Sequence, residues 1–108
     1  MTNFSELKGE QLENLLACMA TCRACCNKCI EEGNKKTAAV TSECADACDL
    51  AIKWKCCNGN FTNQALELCA QVCKKCADEC GHAQSEHCKE CADICTRCSN
   101  SCSTSRAR

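Results

Sequence analysis

The chain has 108 residues, a formal net charge of −1, no proline and no tyrosine, and only two Phe and one Trp as aromatics. That balance provides neither a basic field for phosphates nor a base-stacking platform, and argues against nucleic acid as a partner. One core must serve the whole length, so residues 1–108 are read as a single domain.

The chain opens with neither a basic n-region nor an apolar run, and no stretch approaches the roughly 20 apolar residues of a membrane span; both features predict a cytoplasmic protein that stays off membranes. A first helix is predicted over about residues 5–32. Leu12, Leu15, Leu16 and Met19 are followed by Cys22, Cys25 and Cys29 at three-and-four spacing, and Gly33-Asn34 suits its end. The second, over about 37–58, carries Val40, Cys44, Cys48, Ala51, Ile52 and Cys56 and stops at Gly59-Asn60. Thr62 is a good N-cap for the third, which runs to Gly81 with Phe61 and Leu66 as a hydrophobic staple. Ser85 caps the fourth, which reaches about Cys102 before a polar tail frays from about 103. Four such helices with short connections predict an all-α, antiparallel up-down-up-down four-helix bundle.

Leu, Ile, Val and Phe together number only fourteen, whereas Cys numbers eighteen. A protonated thiol packs as a small hydrophobe, so cysteine supplies the missing core. Cys18, Cys22, Cys25 and Cys29 share a four-three-four rhythm with Cys69, Cys73, Cys76 and Cys80 and with Cys91, Cys95, Cys98 and Cys102. Each series makes one stripe along a helix, directed at the bundle axis. One buried cysteine is ordinary packing. Cysteine at nearly every seam position needs a chemical reason, because Leu or Ala would pack there without risk of oxidation.

Disulfides do not supply that reason. Side chains four apart on a helix have Cβ atoms about 5–6 Å apart, whereas a disulfide requires about 3.5–4.5 Å, and a reducing cytosol keeps thiols free. The wider gap suits a metal bridge, since two bonds slightly shorter than the Zn–S bond give a near-linear S–Cu–S unit of about 4.4 Å. Thiolates select Cu(I), zinc or iron–sulfur clusters. Charge separates these: a Zn²⁺ held by four thiolates carries a surplus of about two negative charges, and roughly four such sites would bury a large charge. One Cu(I) per cysteine, with bridging thiolates, leaves the core neutral. The C-x3-C-x2-C spacing of Cys18, Cys22 and Cys25 imitates a cluster-binding motif, but the same numbers are helical periodicity. The ferredoxin Cys-Pro run is impossible without proline, and Cys95/Cys98 lacks the βαβ setting of a redox pair.

The cysteine ladder on four proline-free helices, covering about residues 15–102, resembles the cytosolic branch of the bacterial copper storage proteins. The resemblance implies a non-enzymatic bundle binding many Cu(I) ions along its axis, assembled as a homotetramer. Copper ions would be the partner, with a copper chaperone as a candidate source. The ligand set is then Cys18, Cys22, Cys25, Cys26, Cys29, Cys44, Cys48, Cys56, Cys57, Cys69, Cys73, Cys76, Cys80, Cys88, Cys91, Cys95, Cys98 and Cys102. His82 and His87, near the third connection, are added as mouth ligands because imidazole binds copper. Ala51 and Ile52 interrupt the ladder in the second helix, which leaves Cys56 and Cys57 to a neighbouring layer.

Leu12, Leu15, Leu16, Leu66 and Leu68 are read as an apolar plug at the end away from the histidines, and Met19 as packing. The acidic and basic runs, including Glu31-Glu32 and Lys74-Lys75, read as solvated faces. Ile30, Leu50, Trp54, Val72 and Ile94 fall off the stripes as candidates for an oligomer interface. Two other functions compete with copper storage and detoxification: a zinc or mixed-metal thiolate buffer, and a thiol or iron–sulfur redox protein. Long amphipathic helices count against the first, and the lack of a distinct reactive cysteine against the second.

Overall fold

The computed structural model describes residues 9–106 apart from residue 84, and the side chains only as far as residue 103. Four helices occupy this span: α1 (Glu10–Glu31), α2 (Lys35–Cys56), α3 (Thr62–Gly81) and α4 (Glu86–Arg106). Each packs against its neighbours in sequence, and α4 closes the ring on α1. The pairing runs antiparallel. Along α1 and α4, Cys18 meets Cys95, Cys22 meets Cys91 and Cys25 meets Cys88; along α2 and α3, Cys44 meets Cys73 and Cys48 meets Cys69. The all-α antiparallel bundle is therefore the one the sequence predicts.

The helix ends show why the chain reverses where it does. Gly33 takes a left-handed φ of 77°. Its N–H bonds to the Ile30 carbonyl while Asn34 N–H reaches back to Cys29, closing a Schellman motif. Asn34 then begins the next helix, its side-chain oxygen accepting from Thr37 N–H at 3.2 Å. The end of α2 repeats the motif with Asn58 in the left-handed position at φ 55°, bonded to Lys55, and Gly59 bonded to Trp54.

Several local expectations change. The expected start of α1 near residue 5 lies outside the described residues. Thr62 is not the N-cap of α3 but its first helical residue, and Phe61 precedes it without a side-chain cap bond. The Thr62 hydroxyl instead donates to the carbonyls of Gly59 and Trp54, tying the α2–α3 turn together. Phe61 does not staple to Leu66: it is exposed and tilts against Trp54 with ring centroids 6.4 Å apart, whereas Leu66 is buried. α4 continues to Arg106 because no glycine or proline follows Cys102 to stop it. Of the leucine plug, Leu15 and Leu66 are buried and Leu12 is half-buried, while Leu16 and Leu68 face outward. Residues 15 and 16 stand about 100° apart on a helix, so both cannot face the axis.

Of the interface candidates, Ile30 and Trp54 are exposed, and Leu50, Val72 and Ile94 are half-buried against the core. Ion pairs Arg23–Asp46 and Lys36–Glu79 link neighbouring helices at the surface. At such exposure each contributes at most about 1 kcal/mol. No helix among the described residues is long and apolar enough to cross a membrane.

Candidate metal centre

Fifteen of the eighteen cysteines are buried, and all eighteen are free thiols. The only buried polar or charged side chains among the described residues are Thr37 and Thr41, and the Thr41 hydroxyl is spent on the carbonyls of Thr37 and Ala38. The axis is thus a column of sulfur with no charged group beside it.

The sulfurs lie at regular separations. Cys18 Sγ is 3.9 Å from Cys22, 3.9 Å from Cys44, 3.8 Å from Cys73 and 3.8 Å from Cys95. Cys44–Cys73 and Cys22–Cys95 close to 3.5 Å, Cys22–Cys91 to 3.7 Å and Cys48–Cys69 to 3.7 Å. A disulfide needs about 2.05 Å between sulfurs. Metal–sulfur bonds of about 2.3 Å place sulfurs about 3.8 Å apart around a tetrahedral ion and about 4.0 Å apart around a trigonal one. The thiols stand at ligand spacing and not at bonding distance from one another.

Groups of four overlap along the axis. Cys48, Cys69, Cys73 and Cys98 form one set; Cys18, Cys44, Cys48 and Cys73 the next; then Cys18, Cys22, Cys44 and Cys95; then Cys22, Cys76, Cys91 and Cys95. Successive sets share two sulfurs. A sulfur common to two sets is placed to bridge two ions, which a single buried zinc site does not require.

Three of the i, i+4 pairs expected from helical spacing stand at such distances: Cys18/Cys22 at 3.9 Å, Cys69/Cys73 at 3.8 Å and Cys91/Cys95 at 3.9 Å. Cys80 and Cys102 are fully buried at the two ends of the column, where the neighbouring thiols, Cys76 and Cys91 for the first and Cys69 and Cys98 for the second, and then burial push both thiols up. Ala51, fully buried, takes the turn of α2 where the ladder breaks.

Three cysteines stand apart from the column. Cys26 is half-buried between α1 and α2 and donates its S–H to the Ala38 carbonyl at 3.4 Å. Cys56 and Cys57 are exposed at the end of α2, where the chain leaves the helix and turns, so they do not extend the column into a further layer.

At the opposite end, Cys25, Cys29, Cys88 and His87 form a fifth group. His87 Nδ1 lies 3.3 Å from Cys25 Sγ and 3.6 Å from Cys88 Sγ. His82 is brought elsewhere: it is exposed, with Nδ1 2.8 Å from the Asp78 carbonyl. Glu32, read from sequence as part of a solvated face, places Oε1 and Oε2 3.1 and 3.2 Å from His87 Nε2. No sequence pattern marks that contact, because it depends on the register of α1 against α4.

The protonation of the thiols follows from their surroundings. Burial, and then the charges of Cys91, Cys29 and Cys88, push the Cys25 thiol up. Burial and Cys88 push Cys29 up to about 11. Inside the column, Cys18 is held below the ordinary thiol range by hydrogen bonds from Cys22, Cys44, Cys48 and Cys73, while Cys73 and Cys95 are pushed up, chiefly by Cys18.

A family model described as copper storage protein matches residues 5–107. A protein of Bacillus subtilis (strain 168) known as the uncharacterized cysteine-rich protein YhjQ is 34% identical over 95 residues, covering 84% of this chain and 88% of its own. The structure of Cu(I)-bound copper storage protein BsCsp3 superposes with a TM-score of 0.83 at 33% identity, covering 87% of this chain and 92% of the other. Apo-Csp3 (copper storage protein 3) from Bacillus subtilis gives a TM-score of 0.84 at 33% identity, with 89% and 95% covered.

Proposed function

Since the chain belongs to the copper storage protein family, we propose that its bundle stores Cu(I), taking up many ions as thiolates along the axis. The observation that carries this reading is the column itself: fifteen buried thiols, ten of them in overlapping sets of four at ligand spacing, with no buried charge among the described residues to balance a surplus. Uncompensated buried charge costs several kcal/mol per ion. A monovalent ion for each thiolate leaves the column neutral, whereas zinc at four thiolates does not. The role is storage and detoxification without catalysis, in a cytoplasm whose reducing conditions keep the thiols free.

The ligands are the fifteen buried cysteines with His87 at the mouth. Cys26, Cys56, Cys57 and His82 lie off the column and would hold at most peripheral ions. Copper reaches the column from the His87 end, since Leu15 and Leu66 close the other. A copper chaperone delivers it there. The exposed Ile30 and Trp54 support assembly of the chain into a homotetramer.

The test is an anaerobic titration of reduced protein with Cu(I) and, separately, Zn(II), read by native mass spectrometry. Copper should load towards one ion per cysteine, and zinc should stop near about four or five ions, the limit for four-thiolate sites. Equal capacities for the two metals would overturn the reading in favour of a zinc or mixed-metal buffer.

A further inference from the structure

Glu32 ends α1 as its C-cap, where the helix macrodipole disfavours a carboxylate by a few tenths of a kcal/mol. It is nevertheless turned onto His87, and both of its oxygens lie within hydrogen-bond distance of Nε2. The histidine side chain is 21% exposed and that of Glu32 50%, so the pair straddles the boundary between solvent and the sulfur column. A groove of about 260 Å³ between α1 and α4 reaches Cys25 and His87 from outside, with Lys28 and Glu90 on its rim.

We infer that Glu32 is a positioning residue for the mouth: it holds neutral His87 in the Nε2–H tautomer and so aims the Nδ1 lone pair at the site bounded by Cys25, Cys29 and Cys88. Donors and acceptors around the ring decide the tautomer. A carboxylate only accepts, and a neutral imidazole has one donor nitrogen and one acceptor. With the proton on Nε2, Glu32 is satisfied and Nδ1 is a free ligand 3.3 Å from Cys25 Sγ. With the proton on Nδ1, two lone-pair centres would face each other across 3.1 Å, and the nitrogen nearest the sulfurs would be unable to bind metal. An outer carboxylate that orients a ligating histidine in this way commonly alters metal affinity 10–100-fold. Partial exposure places Glu32 at the lower end of that range. His82, whose Nδ1 faces a backbone carbonyl, has no such arrangement.

The inference rests on the copper storage reading, but its first test needs no copper. In ¹⁵N-labelled, metal-free, reduced protein at about pH 8, above the usual imidazole range, the His87 ring shifts should report Nε2–H as the dominant tautomer. Glu32→Ala should let the Nδ1–H form appear. Glu32→Gln, whose side-chain carbonyl still accepts from Nε2–H, should retain most of the preference. In the second test, binding of the first Cu(I) should weaken or slow roughly tenfold in Glu32→Ala, with final capacity unchanged. Glu32→Ala and His87→Ala should not add, because one acts through the other. A tautomer unchanged in Glu32→Ala, or full additivity of the two substitutions, would overturn the inference. Failure of the wild-type protein to bind Cu(I) would instead remove the storage reading, and the tautomer measurement would still decide what Glu32 does to His87.

Discussion

Replacing Cys73 with serine tests the neutral column directly. Cys73 is fully buried, its sulfur lies 3.5 Å from Cys44, 3.8 Å from Cys18 and 3.8 Å from Cys69, and it belongs to two of the overlapping sets. Serine removes one thiolate charge, which on neutrality alone removes one Cu(I), and it leaves both sets with three sulfurs. The expected loss is therefore about one or two ions from a capacity approaching one per cysteine, with the remaining sites intact. The hydroxyl can bond back to the carbonyl four residues earlier. α3 should therefore survive, at a cost of about 1–3 kcal/mol in metal-free stability for the polar group left among sulfurs.

Because an ordinary thiol titrates at about 8.5 and burial disfavours the thiolate, the column starts largely protonated at neutral pH, and each Cu(I) should displace about one proton. The assay is an anaerobic Cu(I) titration against a competing chelator in weak buffer, with released protons followed alongside bound metal. Wild type and Cys73→Ser should give the same ratio of about one proton per Cu(I), at slightly different end points. Saturation near half the number of cysteines, binding without proton release, or loss of most of the capacity in Cys73→Ser would refute the neutral, bridged column.

Asn58 holds a left-handed φ of 55° at the end of α2, where glycine is less strained, so Asn58→Gly should stabilise the metal-free protein by about 0.5–1 kcal/mol in thermal or urea unfolding; a destabilised variant would show that the asparagine side chain holds the turn. The mouth thiols give a pH dependence of definite sign. A thiol whose pKa rises on folding contributes its stability fully below the unfolded value of about 9 and loses it as pH rises through the folded value, about 11 for Cys29. The urea midpoint of the metal-free protein should fall across that window, and the fall should be smaller in Cys29→Ser. An equal slope in the two proteins would remove Cys29 as a cause.

The cysteine stripes and the four helices were legible in the chain itself, because a helical period of three and four puts Cys18, Cys22, Cys25 and Cys29 on one face whatever surrounds them. Gly33-Asn34 likewise signalled its turn, since a left-handed residue followed by a capping side chain is a local requirement. Periodicity assigns a residue to a face, but not the rotation of that face against its neighbours or the register of one helix along another. Cys26 is one residue from Cys25 yet bonds to the Ala38 carbonyl, and Leu16 and Leu68 left the plug while Leu15 and Leu66 filled it. Register chose His87 over His82 and brought Glu32, 55 residues away in sequence, onto its ring. Those outcomes belong to the packed bundle, where sulfur separations near 3.5–3.9 Å arise only when four helices have fixed both their rotation and their height around one axis.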